Sequence, residues 1–420
     1  HLEKSHLRPL YRLRSASAAL ECRAEAGPQS PGVKTDPGGT AMIRRTVLAV
    51  STLALAACSG PSDRSTAPQV DPAVYTVETV AEGVFYPWDI AFLPGGDILV
   101  TERSGGLRLI RGGVLQDGSI SGVPEVFFEG QGGLFEVEPA PDFAVTGLVY
   151  LTYAAGDADA NATAVHRARF DGERLVEGET VFTAAPVRDT NAHFGGRMTF
   201  LPDGTFLLTL GDGFAYREQA QLASNHLGTI VRLNADGSPP ADNPFFAEGG
   251  LAAHVYSYGH RNVQGIAFDP RRGIIWAHEH GPQGGDELNR IEAGANYGWP
   301  IVTEGIDYNG ARISPFSDHE AEGFTPPVLG WTPSIAPSGL LAYQGGAFSD
   351  WTGDLFVTAL AGTALHHIDL DASGAVTGEN RILLEGRPRL RQVAEGPDGA
   401  IWVLTDEAEG RVLRLTPAGG

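Results

Sequence analysis

Four short segments carry side chains that could do chemistry. In Asn191-Ala-His-Phe-Gly-Gly-Arg-Met198, His193 lies in a glycine-rich approach to a strand. An imidazole there can reach a pocket, and its pKa near neutrality suits a general base. The same histidine is also what a packed or surface residue looks like. The densest stretch runs through Gly259-His-Arg-Asn262, Glu279-His-Gly-Pro-Gln-Gly-Gly-Asp-Glu-Leu-Asn-Arg290 and Asn296-Tyr-Gly-Trp-Pro300. The carboxylates Asp286 and Glu287, close to free carbonyls at Gly281 and Pro282, form a hard-oxygen set suited to Ca²⁺ rather than zinc. His278 and His280 flank Glu279 at strand spacing; the preferred reading is a hydrogen-bonded strand face, not a metal pair. Gly130-Gln-Gly-Gly-Leu134 offers one amide, Gln131, on a flexible loop. Arg389 and Arg391 share one side of a strand and could grip a single anion; a solvated edge strand gives the same pattern.

Other chemistries lack their signatures. The chain has no Gly-x-Ser-x-Gly elbow, no His-Glu-x-x-His and no phosphate loop. Its formal net charge is -21 over 420 residues. The first 57 residues hold eight basic and four acidic side chains, so the remainder is near -25 and contains no lysine. Nucleic acid is therefore excluded as a partner, because phosphate binding needs a basic footprint.

These residues must be positioned by strands. The 55 glycines and 28 prolines disfavour helices and suit short strands joined by tight turns. A turn followed by an alternating apolar strand recurs six times, ending at Thr101, Thr152, Thr209, Ala277, Thr358 and Thr405. Six such units predict an all-β fold, a six-bladed β-propeller. Uneven spacing puts long inserted loops between 212 and 345, on the active-site face. The strand Tyr75–Val80 is expected to complete the last blade and close the ring.

The N-terminal segment reads as targeting. Residues 1–41 resemble translation upstream of a true start at Met42. Residues 42–57 form a lipoprotein signal peptide: Arg44 and Arg45, a short apolar run, then Leu55-Ala-Ala-Cys58. Cys58 would then be lipidated, anchoring an exported, periplasmic protein to a bacterial membrane. It would also be the only cysteine left after processing, so no intrachain disulfide is expected. Residues 58–72 read as a flexible tether and 73–418 as the propeller.

Taken together, these segments resemble the soluble PQQ-dependent glucose/sorbosone dehydrogenase family, in its aldose sugar dehydrogenase branch, over nearly all of the chain after the leader, from the first blade to the last. The most specific stretches are Asn225–Pro244, Tyr258–Gly265 and His278–Pro300. The resemblance implies oxidation of aldose sugars to lactones, with pyrroloquinoline quinone (PQQ) and Ca²⁺ as cofactors. It implies His193 as general base and Arg261 near the reacting carbonyl. It further implies cofactor contacts from Gln131, Arg261, Asn262, Pro337, Ser338, Gly339, Arg389 and Arg391. Gly281 and Pro282 would bind the Ca²⁺ that holds PQQ; Glu287 and Tyr297 would belong to a structural Ca²⁺ site. A downstream electron acceptor is also implied, though of no class the sequence names.

Three positions depart from the family pattern. Ala361 stands where some relatives have a lysine that pairs with PQQ, and Thr229 replaces a common basic residue. Phe135-Glu-Val-Glu138 brings two carboxylates into a stretch expected to wall an anionic cofactor. A calcium-dependent propeller hydrolase of lactonase type and a non-catalytic surface-binding propeller are the alternatives, since fold alone separates none of these.

Overall fold

The computed structural model describes residues 67–419, so the leader, Cys58 and much of the tether lie outside the described residues. The described chain forms six four-stranded antiparallel sheets. In chain order their innermost strands are Pro87–Phe92, Leu134–Pro139, Gly195–Phe200, Val263–Asp269, Pro337–Ala342 and Leu390–Glu395. Blades one to six are numbered by these strands. Tyr75–Val84 pairs with Gly410–Pro417 as the outer strand of blade six, so the two ends of the ring close in one sheet. Closure leaves no blade tied to the ring by packing alone and protects the edges.

The recurring turn is the hairpin between the innermost and second strand of each blade, for example Leu93–Asp97 between Pro87–Phe92 and Ile98–Glu102. Alternate faces of these strands bury Leu, Val and Ile between neighbouring blades. Leu99, Leu107, Leu134 and Val149 form one such cluster, and Phe356, Leu365, Leu390 and Val403 another. Each fully buried aliphatic side chain contributes about 1.5–3 kcal/mol. Helix is almost absent: among the described residues the one α-helix is Phe143–Thr146. No described helix is long and apolar enough to cross a membrane.

Every innermost strand breaks register with its neighbour near its first residues. The breaks fall at Pro87/Asp89, Leu134/Val137, Gly195/Met198, Val263/Gly265, Pro337/Leu340 and Leu390/Gln392. A bulge re-aims side chains and sharpens the local twist. Here six bulges ring one mouth of the channel and turn Trp88, Phe135, Gln264 and Arg391 toward it.

Thr101, Thr152 and Thr209, which end the first three repeats, each tie the bulge of their own blade to the next. Thr101 Oγ1 accepts from Asp89 N at 2.9 Å and donates to Phe135 O of the next blade at 2.6 Å. Thr152 repeats the bridge from Glu136 N to Gly196 O, and Thr209 from Arg197 N to Val263 O. Blade four has Ala277 at this place, and His278 Nε2 reaches Gly339 O at 3.2 Å instead. Thr358 Oγ1 accepts from Gly339 N, while Ser338 Oγ donates to Leu390 O. The bulges leave backbone groups without ladder partners, and the hydroxyls satisfy them.

A single guanidinium closes the channel below that mouth. Arg197 Nε donates to Gln264 O at 3.0 Å, and Nη2 donates to Ser338 O at 3.1 Å and Arg391 O at 3.3 Å. Nη1 lies 3.4 Å from Asp89 and 3.7 Å from Glu136. From blade three it therefore touches blades one, two, four, five and six. Its charge also stacks 3.7 Å from the centre of the Trp88 ring.

Candidate functional site

His193 is held in a left-handed conformation, φ 54°, just before the innermost strand of blade three. Such a backbone is costly for a non-glycine residue and persists where surroundings fix it. Here Gln131 Oε1 accepts from His193 N at 2.8 Å, and Arg188 Nη1 donates to His193 O at 2.8 Å. The ring nitrogen Nδ1 lies 2.6 Å from Asp212 Oδ1, and both side chains are buried. Asp212 also accepts from Phe214 N at 2.7 Å and Trp299 Nε1 at 2.8 Å. Burial alone would raise the Asp212 carboxyl, but its bond to His193 and the nearby charges outweigh this and hold it below its ordinary value. An ionised carboxylate only accepts, so Nδ1 carries the proton and Nε2 keeps a free lone pair. Burial pushes the His193 pKa down, partly opposed by Asp212, so the imidazole is neutral at neutral pH. A neutral imidazole held this way has the geometry a general base needs.

Two cavities share the wall made by His193–Gly195 and Arg261–Asn262. The larger, about 450 Å³, fills the bulged mouth. Trp88, Phe135 and Phe194 give it apolar surface; Gln131, Asn262, Gln264, Arg103, Arg389 and Arg391 give it donors. Asp406 binds both Arg389 (3.1 Å) and Arg391 (2.9 Å). Asn262 Oδ1 accepts from Gly195 N and Gln264 Nε2. The smaller cavity, about 330 Å³, is lined by His193, Arg261, Trp299, Phe214, Asp307 and Tyr308 among others. Arg261 Nη1 donates to the carbonyls of His280 and Gly281, at 3.0 and 2.9 Å, and its guanidinium lies 5.3 Å from the Trp299 ring centre.

The sequence-predicted residues divide. His193, Arg261, Gln131, Asn262, Arg389 and Arg391 converge on the two cavities. Pro337, Ser338 and Gly339 do not line the larger one. Ser338 is fully buried with its hydroxyl committed to Leu390 O, the Pro337 carbonyl accepts from His280 Nε2 at 2.6 Å, and the Gly339 carbonyl accepts from His278. The bulge directs this segment into the seam between blades five and six, where it shapes the wall from behind. His278 and His280 are indeed a hydrogen-bonded strand face, and burial holds both near pKa 3.

Asp286 and Glu287 do not act as a pair, because neighbours in a strand face opposite sides. Asp286 accepts from Gly281 N, Ser334 Oγ and Ala336 N, which fixes the loop that presents Gly281 and Pro282. Burial raises its carboxyl to about 6. Glu287 instead faces Glu279, Glu304, Asn289 and His319. Burial and these like charges push its carboxyl well up, and Asn289 Oδ1 is buried without a partner. Crowded carboxyls around an unpartnered amide oxygen are what a hard divalent cation relieves. The Tyr297 hydroxyl is spent on Arg290 O and Glu292 N, which leaves only its backbone carbonyl for such an ion.

The two carboxylates of Phe135–Glu138 are not beside the larger cavity. Phe135 lines it, but Glu136 points to Arg197 beneath and Glu138 lines a third cavity at the opposite end of the channel. Ala361 donates its N–H to Ile335 O, and Thr229 is buried with its hydroxyl on His226 O. Asp212, Arg103 and Asp406 lie outside the four segments, and Trp299 lies inside one with no signal of its role. Asp212 stands in Gly211-Asp-Gly213, which reads as a turn, and Arg103 follows a strand where it reads as a hairpin end.

Comparison with known proteins agrees with this geometry. The family described as Glucose / Sorbosone dehydrogenase matches residues 84–414. The aldose sugar dehydrogenase YliI of Escherichia coli (strain K12) is 39% identical over 350 residues, covering 82% of this chain and 94% of its own. The crystal structure of the soluble aldose sugar dehydrogenase from Escherichia coli in the apo-form aligns with a TM-score of 0.78 at 38% identity, over 82% of this chain and 99% of that one. The PQQ-bound aldose sugar dehydrogenase from Streptomyces coelicolor aligns with a TM-score of 0.66 at 31% identity, over 83% and 100%.

Proposed function

Since this chain belongs to the glucose/sorbosone dehydrogenase family, we propose that it oxidises aldose sugars to lactones with PQQ, using His193 as the base. The observation that carries the reading is the His193–Asp212 pair set against a cavity of guanidinium and amide donors. PQQ is flat and carries three carboxylates. The larger cavity offers aromatic surface from Trp88, Phe135 and Phe194, and Arg103, Arg389 and Arg391 in an otherwise acidic protein. Those features fit the group.

When bound, PQQ supplies a quinone carbonyl carbon that accepts hydride, with Ca²⁺ as the Lewis acid that polarises it. The protein does the rest. His193 Nε2 takes the proton from the anomeric hydroxyl of a sugar seated in the smaller cavity. Asp212 keeps the imidazole in the right tautomer and stabilises the imidazolium as it forms. Arg261, on the shared wall, offers positive charge where negative charge develops. Gln131 fixes the His193 backbone and presents its amide to the cofactor side.

The carbonyls of Gly281 and Pro282 would hold the cofactor's Ca²⁺; a carbonyl has two lone pairs, and Arg261 uses one on Gly281. Glu287 and the Tyr297 carbonyl would hold a second, structural Ca²⁺. The leader sequence supports export and lipid attachment at Cys58, with the enzyme working in the periplasm.

Reconstitution tests the reading. Purified protein mixed with PQQ and Ca²⁺ is expected to reduce an artificial acceptor in the presence of glucose or another aldose. Absence of both turnover and spectroscopic binding of PQQ across a sugar panel overturns it. His193→Ala should bind PQQ yet lose turnover; turnover near the parent rate would remove the base assignment.

A further inference from the structure

The donor wall of the larger cavity holds more positive charge than the sequence pattern led one to expect, and its source is blade one. Arg389 and Arg391 both bind Asp406, so this trio carries a net charge of only one. Arg103 reaches the same cavity from the loop after Ile98–Glu102. Its Nη1 donates to Gly130 O at 2.9 Å, and its Nε is buried without a hydrogen-bond partner. The guanidinium carbon lies 5.7 Å from the Tyr86 ring centre and 5.3 Å from that of Phe128.

No carboxylate forms an ion pair with Arg103 among the described contacts, although the chain as a whole is strongly acidic. Its closest charged neighbours in effect are Arg391, which repels it, and the more weakly felt Asp406. The backbone is pinned as well: Arg103 N donates to Tyr86 O at 3.1 Å, and Arg103 O accepts from Leu134 N at 2.9 Å. Gly133 approaches so closely that a side chain there would meet the Arg103 carbonyl at 2.0 Å. A half-desolvated cation, held by aromatic rings and lacking an anion, is arranged for an anion that arrives with a ligand.

We propose that Arg103 is a cofactor-binding residue, the third cationic contact for a carboxylate of PQQ, on the same cavity wall as Arg389 and Arg391. It supplies the charge that Ala361 does not. The inference rests on the reading of the site given above, and its test separates the two.

PQQ is titrated into the Ca²⁺-loaded protein and binding is followed by quenching of tryptophan fluorescence, for the parent, Arg103→Met and Arg103→Lys. The trimethyl ester of PQQ is titrated in parallel. Arg103→Met should weaken PQQ binding about 10- to 100-fold, the usual span for a lost charge-assisted bond. Arg103→Lys should recover part of that loss, and the ester should bind parent and Arg103→Met alike. Thermal unfolding of each variant reports whether the fold is kept; if Arg103→Met is unstable, the Arg103→Lys and ester comparisons decide. PQQ affinity of Arg103→Met within twofold of the parent overturns the role of Arg103 alone. So does an equal loss for PQQ and its ester, which would make the effect one of shape. Failure of the parent to bind PQQ overturns the broader reading together with this one.

Discussion

Replacing Asp212 with Asn probes the base most sharply, because the two side chains have the same shape and differ in charge and donors. Asp212 accepts three hydrogen bonds, one of them at 2.6 Å from His193. An amide can satisfy only part of this set. With its oxygen toward His193 and Phe214, its NH₂ opposes the Trp299 N–H, donor against donor. Turned over, its NH₂ faces His193 Nδ1, forces the proton onto Nε2 and removes the lone pair that accepts from the sugar. In either pose the imidazolium formed in the reaction loses its carboxylate. General-base catalysis contributes about 10²–10⁴, and an Asn in the corresponding place of a serine protease triad costs about 10⁴. Asp212→Asn should therefore lower kcat by roughly 10²–10⁴, with KM and PQQ affinity changed less than about threefold. Asp212 raises the His193 pKa, so removing its charge should also move the acidic limb of the kcat profile to lower pH. Steady-state rates of the reconstituted variant between pH 4 and 9 measure both. A kcat within tenfold of the parent, or an unmoved limb, would refute the role given to this pair.

Three further outcomes are expected. Arg197→Met should destabilise the protein by about 3–5 kcal/mol in urea unfolding, since it strands Asp89 and Glu136 in the channel without their cation; a loss under 1 kcal/mol would contradict the ring-closing role. Glu138 has its carboxyl raised to about 8 by burial, with a contribution from Asp89. The folded state thus binds more protons than the unfolded one between the ordinary carboxyl range and pH 8, and stability should fall as pH rises through that window. Glu138→Gln should flatten this fall and be more stable than the parent at pH 8, by a few kcal/mol at most; equal Tm profiles from pH 5 to 8 would contradict it. A Ca²⁺ chelator should lower the Tm of the parent, and Glu287→Gln should lose most of that response; an undiminished response would place the ion elsewhere.

The ring was legible because its repeats are spelled out in turns and apolar alternation, down to the threonines at 101, 152, 209, 358 and 405. The bridging task of Thr101, Thr152 and Thr209 was not, since a Thr ending a strand looks like ordinary β-propensity. The bulges explain most of the differences at the site. Their place just after the Gln131 loop assigns Glu136 and Glu138 to the cofactor wall, whereas the break in register there sends both toward the channel below. The same effect buries Ser338 in a seam. Arg389 and Arg391 were readable as a two-pronged anion site because their spacing survives the bulge. Asp212 and Arg103 act across blades, from turns whose composition gives no hint of what lies opposite. Arg389 and Arg391 likewise gave no sign of Asp406, which comes from the next hairpin.

The most direct measurement is a crystal structure of the protein soaked with PQQ and Ca²⁺. Planar density is expected against Trp88, Phe135 and Phe194, with carboxylates at Arg103 and at Arg389 with Arg391, and His193 Nε2 facing the ring across the shared wall. Density for PQQ at another place, or a His193 whose Nε2 points away from it, would contradict the account.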